Sequence, residues 1–234
     1  MAVIWVEGNM GAGKTRLTHF LSPALNLRAI EEQFRNPLFT KFSEDPKKHA
    51  FGFQMWMMMT RYALHESAKW ESLGLLGYAG VCMDRGLWGD RVYAKMHYQL
   101  KNIEKEYWDL YEYAFKILCS NISAPKLLLI LDVEPEICLE RVRRRDRSEE
   151  NMIDLEYLKM VRAGYLDLQA DIESGDNAWS SGLKVKRIPW NVGDQDPWPI
   201  VEEIAHFCRL NIVKTKEEIV SMLEQKEKER ERVS

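Results

Sequence analysis

The stretch "AVIWVEGNMGAGKTRLTHFL", residues 2–21, sets a short apolar run, a glycine-rich loop and the start of a helical pattern in direct succession. Residues 8–15, Gly8-Asn9-Met10-Gly11-Ala12-Gly13-Lys14-Thr15, match the spacing G-x-x-x-x-G-K-[ST] in full. The match carries weight because of its setting, with a strand pattern over 2–6 before it and a helical pattern from Thr15 after it. Glycines there let backbone N–H groups close around phosphate oxygens. Lys14 neutralises charge on the β- and γ-phosphates, and the Thr15 hydroxyl can ligate Mg²⁺. The stretch predicts a nucleoside triphosphate site, ATP with its metal, on a strand–loop–helix unit.

Working outward, further short apolar runs occur at 27–31 ("LRAIE"), 80–84 ("GVCMD"), 126–133 ("KLLLILDV") and 183–189 ("LKVKRIP"). Between them lie stretches with apolar residues at i, i+3 and i+4, among them 47–70, 88–118 and 135–145. This alternation predicts an α/β fold, a five-stranded parallel sheet flanked by helices. No repeat or low-complexity linker interrupts residues 1–210, which read as one domain. Residues 211–234 read as a charged helical tail. Its apolar content (Ile219, Val220, Met222, Leu223) is too small for a coiled coil, so a solvated helix is expected.

Composition narrows the function classes. The net charge is −3 and the pI about 6.0, so no basic field draws the chain to nucleic acid or membrane surfaces. No apolar run approaches the length of a membrane span. The N-terminus reads as a strand almost at once, which leaves no room for a cleavable presequence. Cys82, Cys119, Cys138 and Cys208 show neither CxxC nor metal-like spacing, and the five histidines are scattered. A reduced, cytosolic protein is expected, with no metal except one that travels with a ligand.

Ligands of open parallel sheets bind beyond the carboxyl ends of the strands. Three of the expected strands deliver polar groups there: the glycine-rich loop, then Glu31–Glu32, then Asp84–Arg85. On the helix after "EDPKK", Gln54 and Arg61 are seven residues apart, so they share a face with Met57 or Met58 between them. An amide and a guanidinium on an apolar wall suit a flat hydrogen-bonding ligand such as a base. Finally, "ERVRRRDRSEEN" (140–151) gathers five arginines within seven positions, with Arg141 and Arg145 on one helical face. Such cations suit a lid that meets the charge developing on a transferred phosphoryl group.

These motifs together resemble the deoxynucleoside kinase family, with details closest to bacterial deoxyadenosine and deoxyguanosine kinases. The likeness covers roughly residues 3–200 and rests on "VEGNMGAGKT", "EEQFRNP", "EDPKKHAFGFQ" with Arg61 seven residues on, "MDRGLWGD" and "ERVRRRDRSEEN". It implies a P-loop kinase fold with an Arg-rich lid, and transfer of the ATP γ-phosphoryl group to the 5′-hydroxyl of a deoxynucleoside. By the resemblance, Glu31 is the general base and Arg85 helps hold the base and the 5′-hydroxyl. Asp84 helps place Mg²⁺, and Arg141, Arg145 and Arg147 are lid arginines. Glu150 takes the sugar 3′-hydroxyl, Gln54, Arg61 and Asp90 read the nucleobase, and Tyr93 stands where the family stacks a ring. The stretch "WNVGDQD" (190–196), with Asp194, resembles the loop around the ATP adenine, and such enzymes are usually homodimers.

Two positions depart from the family pattern: Ser43 stands where a tyrosine commonly helps bind the 3′-hydroxyl, and Gly86 stands where a serine follows the arginine. Two other readings compete. A nucleoside monophosphate kinase shares the loop and an Arg-rich lid, but its acceptor is already anionic and needs no base, whereas a hydroxyl must lose a proton. A non-catalytic kinase-like subunit has no need of a complete loop, base and lid.

Overall fold

The computed structural model describes residues 2–31, 37–71, 77–122, 124–145, 153–190 and 196–233. Its centre is a five-stranded parallel sheet of β1 (Ala2–Gly8), β2 (Leu27–Ile30), β3 (Gly80–Asp84), β4 (Leu127–Asp132) and β5 (Val185–Pro189), in the order β2-β3-β1-β4-β5. The five apolar runs expected to be strands are these five. A parallel sheet is covered on both faces, so its central strands read as continuous apolar runs instead of alternating ones. Ile4, Trp5 and Val6 in β1 and Leu127, Leu128 and Leu129 in β4 accordingly have no exposure.

The period of two along each strand divides the core. Ile4, Val6, Leu127, Leu129 and Leu131 enter one apolar cluster with α1 (Lys14–Ala24), α6 (Pro135–Arg145) and α8 (Trp198–Cys208). Trp5, Leu128 and Ile130 enter the other. That second cluster packs against α3 (Pro46–Glu71), α4 (Leu87–Gln99), α5 (Lys105–Asn121) and α7 (Leu155–Ser174). A short helix, α2 (Phe39–Glu44), leans on α3 through stacked Phe42 and Phe53.

Two expectations are corrected. The pattern over 88–118 is not one helix: α4 ends at Gln99 and α5 begins at Lys105. Lys101 between them has a φ of 60°, a left-handed conformation that no glycine in the sequence announces. The C-terminal helix α9 (Lys216–Val233) is also not solvated along its whole length. Thr215 and Glu218 cap its start reciprocally, and Ile219 is wholly buried in the cluster around α1. Residues 224–226, 228 and 229 are exposed and fit the solvated reading. Among the described residues, no helix is long and apolar enough to cross a membrane.

The sheet also explains a pH dependence. His65 is buried against the Trp5 ring and accepts a hydrogen bond from the Leu87 amide. Burial, aided by the nearby Arg61 charge, lowers its pKa to about 3, and burial lowers that of His97 to about 4. Both rings are neutral in the fold, whereas an unfolded histidine titrates near 6.5. The unfolded chain therefore binds more protons below pH ~6.5, and stability present above that pH is lost as pH falls. Urea unfolding should show a loss of about 2 kcal/mol per ring between pH 7 and pH 5. His65→Gln, which keeps an acceptor but cannot titrate, should halve that loss.

Candidate active site

The register of the sheet assembles the site. Val6 pairs with Asp84, and the Arg85 amide donates to the Val6 carbonyl at 3.0 Å. The carboxyl ends of β1 and β3 therefore lie side by side, with the glycine-rich loop leaving one and Asp84–Arg85 ending the other. Over them opens a cavity of about 390 Å³. Of the residues singled out from sequence, Met10, Gly11, Lys14, Thr15, Glu31, Gln54, Arg61, Asp84, Arg85, Asp90, Tyr93 and Arg145 all line it.

The loop is held from several sides. The Asn9 side-chain amide donates to the Leu158 carbonyl at 2.8 Å, tying the loop to α7. Lys14 Nζ donates to the carbonyls of Gly8 and Asn9 at 3.2 and 2.8 Å. Gly11, at a φ of 75°, leaves no space for a side chain, since a Cβ there would lie 2.5 Å from the Cys138 carbonyl oxygen. Ala12 is fully buried behind the loop, and Gly13 precedes α1 at a φ of 87° without a side-chain cap. The first amides of α1 thus have no protein side chain capping them from Gly13, and they add to the positive end of the helix dipole.

The Thr15 hydroxyl donates to Asp84 Oδ2, while Asp84 Oδ1 is buried with no hydrogen-bond partner among the described residues. Arg85 has a φ of 71° and is buried. Its Nη1 donates to the Tyr93 hydroxyl at 3.1 Å, reaches Tyr165 at 3.4 Å, and lies over the Tyr93 ring. On α3 and α4, Arg61 Nε donates to Asp90 Oδ1 at 3.1 Å, and Gln54 is buried beside them on the cavity wall. Between the two candidates it is Met57 that lines the cavity, because Met58 turns into the core with no exposure. Glu31, beyond β2, meets His19 Nε2 at 2.8 Å.

Other positions named from the sequence do not line the cavity or lie outside the described residues. Arg141 Nη1 donates to the Gly11 carbonyl at 3.2 Å and so braces the loop. Arg143, in contrast, donates to the Ile153 carbonyl. Arg147, Glu150 and Asp194 lie outside the described residues. Ser43 does not line the cavity: its hydroxyl turns back to the Thr40 carbonyl, and Phe39 and Phe42 take the wall instead.

Sequence reasoning missed several contributors. Glu7 has no exposure, accepts the Gly86 amide at 2.6 Å and the Tyr165 hydroxyl at 3.0 Å, and underlies the Arg85 turn. Burial pushes its pKa up to about 7, against the lowering pull of Arg85 and Arg61. Its signal was a lone charge at the end of an otherwise apolar strand. Tyr157 and Tyr165 arrive from α7, and His19 from α1. Nothing local marks these three.

A five-stranded parallel sheet with a phosphate loop after its central strand defines a P-loop kinase fold. A sequence profile described as "Deoxynucleoside kinase" matches residues 4–231. A deoxyadenosine kinase of Dictyostelium discoideum is 33% identical over 189 residues, 80% of this chain and 72% of that protein. A deoxyguanosine kinase of the same organism is 32% identical, covering 81% and 64%. In fold, the chain is similar to a deoxyadenosine kinase from M. mycoides solved with bound dATP, at a TM-score of 0.69, 23% identity and coverage of 88% and 99%. The chain belongs to the deoxynucleoside kinase family, ATP-dependent phosphotransferases that act on a nucleoside hydroxyl in nucleotide salvage.

The turn over Glu7 is open to a paired test. A Cβ at Gly89 would collide with the Glu7 carboxylate, while one at Gly52, also helical, meets only Leu38 Cδ1 at 3.7 Å. Gly89→Ala should destabilise by about 1–3 kcal/mol through overpacking and should depress kcat. Gly52→Ala should be neutral or stabilising by up to about 1 kcal/mol, measured by the same urea titration.

Proposed function

We infer that this kinase transfers the ATP γ-phosphoryl group to the 5′-hydroxyl of a deoxynucleoside, with deoxyadenosine first, deoxyguanosine and deoxycytidine next, and thymidine last. The observation that carries this reading is a single cavity shared by the phosphate loop, the Glu31 carboxylate and the buried Arg61–Asp90 pair. Glu31 accepts the hydroxyl proton as the oxygen attacks phosphorus. Arg85, held by Tyr93 and Tyr165, helps position the acceptor, and Arg145 and Arg141 answer the phosphoryl charge. In this reading Arg147 completes an Arg-rich lid, Glu150 takes the 3′-hydroxyl, and Asp194 lies in the loop around the ATP adenine.

Thr15 and Asp84 offer hard oxygens, and Asp84 Oδ1, which has no partner among the described residues, suits a divalent cation of the Mg²⁺ type. When bound with ATP, Mg²⁺ neutralises charge on the β- and γ-phosphates. The remaining proposals concern assembly and place. Tyr107, Leu110, Tyr113 and Ile117 form an exposed apolar stripe on α5, and Trp56 and Met59 are exposed on α3, which supports a homodimer joined through these helices. The four cysteines are buried and free, in keeping with a reducing cytosol. Residues 1–210 act as the kinase unit, with 211–234 a C-terminal extension docked through Ile219.

The base order follows from donors and acceptors. A carboxylate can only accept and a guanidinium can only donate. Across a base edge that pair wants an exocyclic amine beside an unprotonated ring nitrogen, which adenine and cytosine offer. Thymine presents the reverse pattern, and guanine is intermediate, since Gln54 can turn its amide. Mispairing buried polar groups costs about 1–3 kcal/mol each, enough for 10- to 100-fold discrimination. Family likeness favours the purines over cytosine in this order.

Two measurements test this reading. Glu31→Gln should lower kcat at least about 10²-fold while ATP still binds, and near-normal turnover would remove Glu31 as the base. Arg61→Met with Asp90→Ala should raise thymidine activity relative to deoxyadenosine in kcat/KM. An unchanged preference would show that the pair does not read the base.

A further inference from the structure

Glu31 follows β2 at the mouth of the cavity, with its side chain half-exposed, and a carboxylate so placed has many rotamers open to it. His19 Nε2 meets its Oε1 at 2.8 Å. Among the described residues, His19 is the hydrogen-bond partner of Glu31. An ionised carboxylate can only accept, so the nitrogen in this contact carries the proton and donates. His19 also lines the cavity, as does Thr15, which lies four residues earlier on α1 and hence one turn away on the same face. The helix that opens with Lys14 and Thr15 in the phosphate loop therefore carries, one turn further on, the group that grips Glu31.

An exposed contact of this kind contributes little to folding stability. Its consequence is orientational. With Oε1 engaged, the second oxygen, Oε2, is the one left for another partner. The geometry points to His19 as a positioning residue for phosphoryl transfer, whose Nε2–H fixes the Glu31 carboxylate with one oxygen held and the other presented to the acceptor hydroxyl. This rests on the reading of Glu31 as the base. In the step it serves, the acceptor O–H bond breaks and its proton passes to Glu31 Oε2. The acceptor oxygen bonds to the γ-phosphorus, the bond from that phosphorus to the β–γ bridging oxygen breaks, and the electron pair leaves with ADP. Glu31 then returns the proton to water, and His19 keeps its N–H throughout.

Steady-state ADP release with ATP and deoxyadenosine tests the inference on the whole chain. His19→Phe should lower kcat about 10- to 100-fold, the loss of one hydrogen bond to a charged group in the transition state. Its KM for either substrate should stay within about twofold, since binding is not what the contact supplies. His19→Gln, whose amide N–H can stand where Nε2–H stood, should recover most of the lost kcat. Adding His19→Phe to Glu31→Gln should cost nothing further, because the two side chains act as a unit. If His19→Phe keeps normal kcat while Glu31→Gln is inactive, the positioning role is wrong and the base reading stands. If His19→Gln is as impaired as His19→Phe, orientation through N–H is wrong. If Glu31→Gln itself turns over normally, the base reading fails regardless of His19.

Discussion

A carboxylate buried without exposure is costly unless its oxygens are met, and at the end of β1 the fold meets both oxygens of Glu7. One takes the Gly86 amide and the other the Tyr165 hydroxyl, which joins β1, the β3–α4 turn and α7 at a single point. Arg85 sits in that turn in a left-handed conformation that a non-glycine residue holds only when its surroundings insist. The phosphate loop begins one residue beyond Glu7. The position of Arg85 relative to the loop depends on this contact.

From it the chemistry divides along the walls of the cavity. The loop, Thr15 and Asp84 form an oxygen- and amide-rich wall suited to phosphate and a hard cation. Arg61 and Asp90 hold one another on α3 and α4, so a donor and an acceptor stand fixed on the cavity wall. Pre-set groups of this kind discriminate well, because a ligand that does not match them leaves them unpaired in a buried setting. Phe39 and Phe42 supply an apolar surface on the cavity wall.

Much of this was legible from local chemistry. The loop announces itself because its glycines, lysine and threonine must stand at fixed spacing. The five strands do so because burial on both faces leaves nearly unbroken apolar runs, "LLLIL" in β4 above all. Gln54 and Arg61 were legible through helical periodicity, though that could not choose between Met57 and Met58. What escaped is tertiary. The break at Lys101 lacks a glycine or proline, Ile219 is one of a few apolar residues in a charged helix, and Tyr157 and Tyr165 become site residues only because α7 crosses the loop. Glu7 could have been suspected from its place in "AVIWVEG", but its two partners come from residues 79 and 158 positions away.

The claim on which the account turns is that the acceptor is a neutral hydroxyl of a deoxynucleoside. Initial rates of ADP release with each of the four deoxynucleosides, and with each of their 5′-monophosphates, test it most directly. The account predicts turnover with the nucleosides, deoxyadenosine fastest and thymidine slowest, and none above background with the monophosphates. Faster turnover with a monophosphate than with any nucleoside would contradict it.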